Sequence, residues 1–414
     1  MLKNSLYFPI AMWLLSRGVI LLAMLGIAPL LPAPPGGIQA EFGWGVFSAW
    51  DSNFYQQIAT SGYEYINHQP GANVAFFPLF PLTIHLAMNL GLSFERAGTL
   101  INNVAFLGAL ILLYDWVEKR HSIAEAKWAT AVAAWCPFSL FGTVIYTEGI
   151  FLLFSIAALR AFEQQQYLQT ALWSSLATAT RVAGLALIPT FLLVAWREGR
   201  PLRAYLASLA GGIGIISYSF YCWLKIGEPL AFILVQREIW QPEQDFWGQG
   251  WVKMLAQISI GSVNWNHGGI KDPWHPLVFI IIVSVGYLLW HFRFQWGTVK
   301  TGYGFCFLSL ILWLLAGNPL INTVMILGGI YLLWYSRHQL GPVALFYGLF
   351  SFAIIISSGR TVSAERYAYA IVSLAIALGM LLSAYPRWGY AVILFFALIL
   401  SLFSIRFSQH LWVA

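Results

Sequence analysis

Charge is what this chain has least of. Asp, Glu, Lys and Arg together make up 9% of its 414 residues, against roughly a quarter in an ordinary soluble domain. That shortage excludes a water-soluble globular fold of this length. Cysteine is also scarce: the three present, Cys136, Cys222 and Cys306, all lie inside apolar runs. Neither a disulfide framework nor a cysteine-based metal site is expected from such positions. Low-complexity tracts, internal repeats and a separable soluble domain are missing too. Lys and Arg are absent from the whole stretch Pro32 to Asn73, which nonetheless contains Glu41, Asp51 and Glu64.

What remains is oil and aromatic rings. Hydrophobic residues account for 59% of the chain and aromatic residues for 17%, with 20 Trp, and the mean hydropathy is +0.71. This composition predicts an all-α polytopic membrane protein with many water–lipid boundaries to line. The formal charge of +6 then speaks of orientation and lipid phosphate rather than of nucleic acid. The first apolar run, Leu6 to Leu31, is too long for the core of a cleaved leader and reads as an anchor.

With about 20 apolar residues needed per crossing, spans are expected at 6–31, 98–116, 128–145, 147–162, 204–224, 276–292, 302–316, 320–335, 342–357, 367–384 and 388–405. The run 170–196 is interrupted near its middle by Arg181. It reads either as one tilted span or as two half-helices, so about 11–13 segments are expected. The basic loops 118–127, 197–203 and 293–300 should face the cytoplasm and the Lys/Arg-free stretch 32–73 the opposite side. That bias requires Phe76–Leu92, which carries Pro78 and Pro81, to lie along the outer interface. Asp51 opens the segment before it, in which Phe54, Tyr55 and Ile58 share one helical face, with Gln56 and Gln57 on the other. The first outer loop, 32–97, is therefore expected to hold two interfacial helices. Within one membrane domain, residues 1–203 form the expected catalytic module and 204–414 a variable set of helices. Two further polar stretches, 225–275 and 358–369, separate later spans.

Chemistry at an outer membrane face has no nucleotide triphosphates to draw on. A sugar linked to a polyprenyl phosphate carries its own activation there, because its leaving group is already an anion. One carboxylate then suffices to take the proton of the attacking hydroxyl, whereas glycoside hydrolysis uses two. Arginine's planar fork suits the phosphate as its charge grows. Asp51, in SAWDSNFY, is the candidate base; its plain alternative is a helix cap. Arg181, in TATRVAGL, and Arg360 and Arg366, in GRTVSAERY, are candidate phosphate ligands. A charge is expensive at membrane depth and seldom idle there, though Arg181 also reads as a structural partner for Glu148, and Arg366 for Glu365. Glu148 opens a helix, where an anion is favoured; capping and hydroxyl binding are both open to it. Arg17, inside the first span, reads as bonding a neighbouring helix or carboxylate. His267 and His275 flank Asp272 over a Gly-Gly and two prolines, a spacing that fits a polar loop better than a metal site.

The stretches WDSNFYQQIATSGY, AFFPLFPLTIHL, CPFSLFGTVIYTEGIFLLFSIAAL and LATATRVAGLALIPT, in this order, resemble the PIG-V mannosyltransferase family of the GT-C membrane glycosyltransferases. The likeness covers about residues 10–200, with ERY at 365–367 similar to a late Arg-Tyr motif. It implies a GT-C fold and an inverting transfer of a hexose, usually mannose, from a polyprenyl-phosphate donor to a lipid-linked or glycan acceptor. No metal or other cofactor is implied. Asp51 is the implied base, Arg181, Arg360 and Arg366 the implied phosphate ligands, and Trp50, Tyr55, Phe77, Pro78, Glu148 and Tyr367 the implied substrate contacts. A bacterial inner membrane with the site on its outer face is the expected setting. The motif here reads ATRVAGL where many bacterial relatives carry a proline after the Arg, and nothing points to a GPI acceptor. Two other readings compete: a carrier of lipid-linked saccharide, and a glycolipid-binding subunit without catalysis. A carrier should line a path across the whole bilayer with polar groups, and an inert subunit has no use for an acid beside Trp50.

Overall fold

The computed structural model describes residues 2–65, 72–238, 248–359 and 361–413; Arg360 lies outside them. Helices, with no strand among the described residues, account for the architecture. Among the described residues six helices are long and apolar enough to cross a membrane: Leu6–Leu30, Phe94–Arg120, Leu202–Ile226, Trp274–His291, Val299–Ala316 and Pro386–Ser408. Four shorter apolar helices, Leu79–Asn89, Val182–Arg197, Pro342–Ser357 and Val372–Ala384, accompany them. Unbroken long helices are thus fewer than the 11–13 apolar runs, because several runs are interrupted within the membrane domain.

The chain divides into two compact units. The first comprises 1–242, 332–354 and 369–414, and the second 243–331 and 355–368. In the second unit Asn264 organises the polar turn before Trp274: its amide donates to the Asp272 carbonyl (2.7 Å) and accepts from the Lys271 and Asp272 N–H groups (2.8 and 2.7 Å). His275 bonds the Ile258 carbonyl (3.1 Å).

In the first unit, α1 (Leu2–Leu21) runs alongside α4 (Phe94–Arg120), Phe8 meeting Tyr114 and Trp13 Nε1 donating to the Asn103 carbonyl. Between them in the chain come α2 (Asp51–Ser61) and α3 (Leu79–Asn89). The ring of His85 on α3 bonds the Ala59 carbonyl on α2 (2.7 Å), and Ile84 lies against Gly98 at the start of α4. Both short helices therefore sit at the end of the unit where α4 begins.

The expected span 128–145 is corrected. Helix α5 (Ile123–Trp135) stops at Cys136, whose extended ψ of 134° precedes Pro137. A residue before proline is pushed out of the helical region, so the chain continues as a tight turn, Pro137–Gly142. It then reaches α6 (Glu148–Glu163), whose N-terminus lies close to α4: a Cβ on Gly149 would overlap Asn102.

The run 170–196 is two half-helices. Helix α7 (Tyr167–Thr180) ends at Arg181, which is extended (φ −156°, ψ 147°). After it the chain folds back so closely that a Cβ on Gly184 would lie 2.8 Å from the Ala177 backbone. Helix α8 (Leu187–Arg197) then returns beside α6, with Phe191 stacked on Phe162 at 4.3 Å. Arg200 Nη1 donates to the Phe162 carbonyl (2.5 Å). Arg181 thus sits at the Glu148 end of α6 and the basic stretch that begins at Arg197 at the other end, about 22 Å away at 1.5 Å per residue. Helices α9 (Leu202–Ala210) and α10 (Ile213–Ile226) pack on α7 across the pair Gly211-Gly212. Thr178 Oγ1 donates to the Gly211 carbonyl (2.6 Å), the close approach that small residues permit.

The two ends of α6 differ in charge. At its C-terminal end Asp115 pairs with Arg160 (2.6 Å) and Lys119 (2.8 Å), and Arg120 with Glu163. The other end holds the candidate site.

Candidate active site

Asp51 is the first residue of α2, and Trp50 before it holds φ 58° and ψ −113°. A bulky side chain at positive φ is strained, by about 1–3 kcal/mol, and persists only where its surroundings over-determine it. Here they do. The Ser52 hydroxyl accepts from the Ala49 N–H (3.2 Å) and lies within donating distance of the Ala49 and Ile145 carbonyls (2.9 and 3.1 Å). The Asp51 N–H donates to the Tyr146 hydroxyl (3.3 Å), and the Ile145 N–H to the Phe47 carbonyl (3.1 Å). The Trp50 ring meets Trp412 edge-on at 5.2 Å. The helix opener is thereby fixed to the segment leading into α6, while the Asp51 side chain stays only half-buried.

Two residues past Tyr146, Glu148 opens α6 with its side chain 1% exposed, paired to Arg181 Nη1 at 2.5 Å. Arg181 is 12% exposed on its side chain and lies 5.8 Å over the Phe151 ring. The break after Thr180 is what aims it there. The helix dipole at the α6 N-terminus favours the carboxylate, and the arginine shares that charge.

Tyr55 joins the two halves. It is 5% exposed, packed edge-on by Phe76 and Phe80, both at 5.3 Å. Burial first, and then the Asp51 carboxylate, push its phenol well above the usual range; Glu148 adds to this, while Arg181 and a hydrogen bond with the Thr147 side chain oppose it. The phenol therefore stays neutral, within electrostatic reach of Asp51, Glu148 and Arg181 at once.

The structure brings Trp50, Asp51, Tyr55, Glu148 and Arg181 together. Phe77 goes elsewhere: it is buried with Tyr218 and Phe232, at 5.2 and 5.4 Å. Pro78 is half-buried where α3 begins. Arg366 and Tyr367 belong to the second unit. There Arg366 is 5% exposed, with its guanidinium 5.3 Å from the Tyr367 ring. Its neighbour Glu365 donates its N–H to Asn322 Oδ1 (3.3 Å). Arg17 meets backbone rather than a carboxylate: its Nη1 donates to the Ser139 carbonyl (3.0 Å), and Nη2 to Ser139 Oγ (2.8 Å) and the Ala134 carbonyl (3.2 Å). Among the described residues no group of three or more His, Cys, Asp or Glu could hold a metal ion. Reading the residues alone missed Ser52, Tyr146, Trp412 and Asn102. Tyr146 stands inside IYTEGIF, so its motif was visible though its task was not.

Fold and site together define an all-helical, multi-pass membrane protein with a half-exposed carboxylate beside a buried Glu–Arg pair at one end of its first unit. Residues 30–197 match the family model described as mannosyltransferase (PIG-V), so the resemblance carried by the four motifs holds over that span. The human GPI alpha-1,6-mannosyltransferase 2 is 26% identical over 268 residues, 55% of this chain and 52% of that protein. Its Cricetulus griseus counterpart is 26% identical over 267 residues, with the same shares. The chain thus spans about half the length of these curated relatives. Among solved structures, ArnT from Cupriavidus metallidurans bound to undecaprenyl phosphate is 12% identical at a TM-score of 0.47, over 89% of this chain and 59% of that one. The apo oligosaccharyltransferase of Archaeoglobus fulgidus is 12% identical at 0.48, over 98% and 56%.

Proposed function

We propose that the protein is an inverting membrane glycosyltransferase that moves a hexose from a polyprenyl-phosphate donor to a hydroxyl of a lipid-linked or glycan acceptor. Mannose is the hexose that the names of the family and of the curated relatives supply. Asp51 accepts the proton of the acceptor hydroxyl while that oxygen bonds the anomeric carbon from the face opposite the leaving group. The bond from that carbon to the phosphate oxygen breaks, and its electrons depart with the phosphate. Arg181 meets the growing negative charge, and Glu148 holds the guanidinium in place. A carboxylate is a weak base, and Asp51 serves because the proton leaves late, once the sugar carbon is cation-like. Trp50 is a wall for the sugar in this reading. No metal is assigned a step.

The single observation carrying this reading is the meeting, around Tyr55, of the half-exposed Asp51 carboxylate with the Glu148–Arg181 pair. The charge pattern supports a non-cytoplasmic site, because Lys119, Arg120, Arg160 and Arg200 gather at the other end of α4 and α6 and basic residues mark the cytoplasmic side. The test supplies membranes with radiolabelled polyprenyl-phosphate mannose and compares the wild type with Asp51→Asn. A loss of about 100-fold or more is expected for removal of a general base. Equal transfer by the two removes Asp51 from the role.

A further inference from the structure

Asn102 has no place in the chemistry just described, yet it is the most completely used side chain near it. It lies on α4, 0% exposed. Its amide nitrogen donates to the Phe141 carbonyl (2.8 Å) and the Val144 carbonyl (2.6 Å). Its amide oxygen accepts from the Gly149 N–H (2.8 Å). Two donors meeting two carbonyls and an acceptor meeting an N–H fix the amide in one orientation. Flipped, oxygen would face oxygen twice. A carboxylate at this position would face two carbonyls, and an apolar side chain would forfeit all three bonds, at about 1–3 kcal/mol for a buried group that loses its partner. Gly149 is the complement: any Cβ there would strike the Asn102 amide oxygen and carbonyl.

The bonded groups are not three arbitrary points. Phe141 and Val144 bracket the turn that ends in Ile145 and Tyr146, whose carbonyl and hydroxyl hold Ser52 and the Asp51 N–H. Gly149 follows Glu148, the anchor of Arg181. One amide therefore ties the support of the carboxylate to the support of the ion pair. Asn103, its neighbour, braces the turn with Nδ2 on the Thr143 carbonyl (3.1 Å), and Arg17 holds its start at Ser139.

We infer that Asn102 is a positioning residue, which sets the placement of Asp51 relative to the Glu148–Arg181 pair through the turn 141–149. The inference rests on the transferase reading above. A shift of about 1 Å in such a constellation can cost about 100-fold in rate, without weakening ground-state binding to match.

The experiment measures kcat and donor KM for Asn102→Ala and, as a milder strain on the same turn, Asn103→Ala. Each is made in the wild-type and Asp51→Asn backgrounds, with rates normalised to folded protein. Asn102→Ala is expected to lower kcat about 10- to 100-fold and to change donor KM less than about 3-fold. In Asp51→Asn the same substitution is expected to change the residual rate less than about 3-fold, since the group it positions is gone. Asn103→Ala is expected to show the same pattern at smaller size. Equal fold-losses in both backgrounds, or losses that track the folded fraction, make Asn102 merely structural and overturn the inference. Hydrogen exchange gives a second reading that needs no activity: Asn102→Ala should strip protection from the 141–149 amides and spare 187–197. Unchanged protection overturns the inference even if no transfer is ever seen. Absence of transfer by the wild type, with protection lost as expected, sinks the transferase reading and leaves the strap standing.

Discussion

Arg181 is asked to do two jobs, and the structure allows them to be separated. Its partner Glu148 is 1% exposed on the side chain, so Arg181→Ala strands a carboxylate away from water. Breaking a buried pair from one side costs about 3–5 kcal/mol. Glu148→Gln is milder, at about 1–3 kcal/mol, because Arg181 at 12% exposure still reaches solvent. In the double variant Glu148→Gln/Arg181→Ala no charge is stranded, and about 2–3 kcal/mol of the single-variant loss should return, a coupling expected of residues in contact. Donor binding should not follow. Losing the cation opposite a phosphate costs about 2–5 kcal/mol, some 30- to 5,000-fold, whether or not Glu148 is charged. The assay pairs denaturation in detergent with donor affinity for the four proteins of the cycle. If the double variant regains donor affinity along with stability, Arg181 is a structural residue and its phosphate role is wrong. If Arg181→Ala costs less than about 1 kcal/mol, the pair is not buried as described.

Glu365, between the helices Pro342–Ser357 and Val372–Ala384, has its carboxyl pushed by burial from 4.5 up to about 7, with Arg366 only partly opposing. An acid held more tightly protonated when folded stabilises the fold at low pH. That contribution fades as pH rises from about 4.5 through 7, by roughly 3 kcal/mol in all. Unfolding of wild type and Glu365→Gln at pH 5 and pH 8 should show the slope in the former alone; parallel slopes reject it. Gly149→Ala should cost about 1–3 kcal/mol as an overpacked contact and lower kcat together with it; a neutral change contradicts the close approach to Asn102. Asn53 and Ala124 are exposed at opposite ends of the first unit. In a background with Cys306→Ser, Asn53→Cys should react with an impermeant maleimide from outside the cell, and Ala124→Cys only after lysis. The reverse pattern turns the site to the cytoplasm.

Features set by a few neighbouring residues were legible in the sequence. Asp51 opens α2 because the apolar spacing of Phe54, Tyr55 and Ile58 starts there, and Arg181 breaks its run because a charge cannot sit unserved in mid-membrane. Charge bias, two prolines and a short length together put Phe76–Leu92 along the outer interface in the sequence reading, and in the structure α3 lies against the start of α4. The misread span, 128–145, failed because hydropathy sees composition and not Pro137, whose effect on Cys136 ends the helix inside an apolar run. The rest depends on contacts distant in sequence. Trp412 meets Trp50 only once the chain is folded, and Asn102 in an apolar run looks like any polar residue at a helix contact until its three partners are known. Phe77 shows the opposite limit: its motif is recognisable, while its burial against Tyr218 is not.

A saccharide carrier also wants arginines and aromatic rings, and the interior of the first unit argues against it. Between the Asp51 end and the Arg120 end lies a small cavity of about 20 Å³ lined by Phe106, Leu110, Leu113, Leu152, Ile156 and Tyr369, with other apolar residues. The one hydroxyl there, on Tyr369, is committed to the Ala133 carbonyl at 3.0 Å. Each sugar hydroxyl brought into such a space without a partner costs about 1–3 kcal/mol on protein-derived scales, and a hexose carries several. A group that binds at Asp51 is therefore better handed on at that end than moved about 22 Å along α6 to the other. The two activities separate in sealed vesicles holding this protein alone. Labelled sugar should pass from donor to acceptor when both are on the Asp51 side, and no donor should become accessible on the far side at a matching rate. Flux across the bilayer that survives Asp51→Asn while transfer is absent would assign the protein to the carriers.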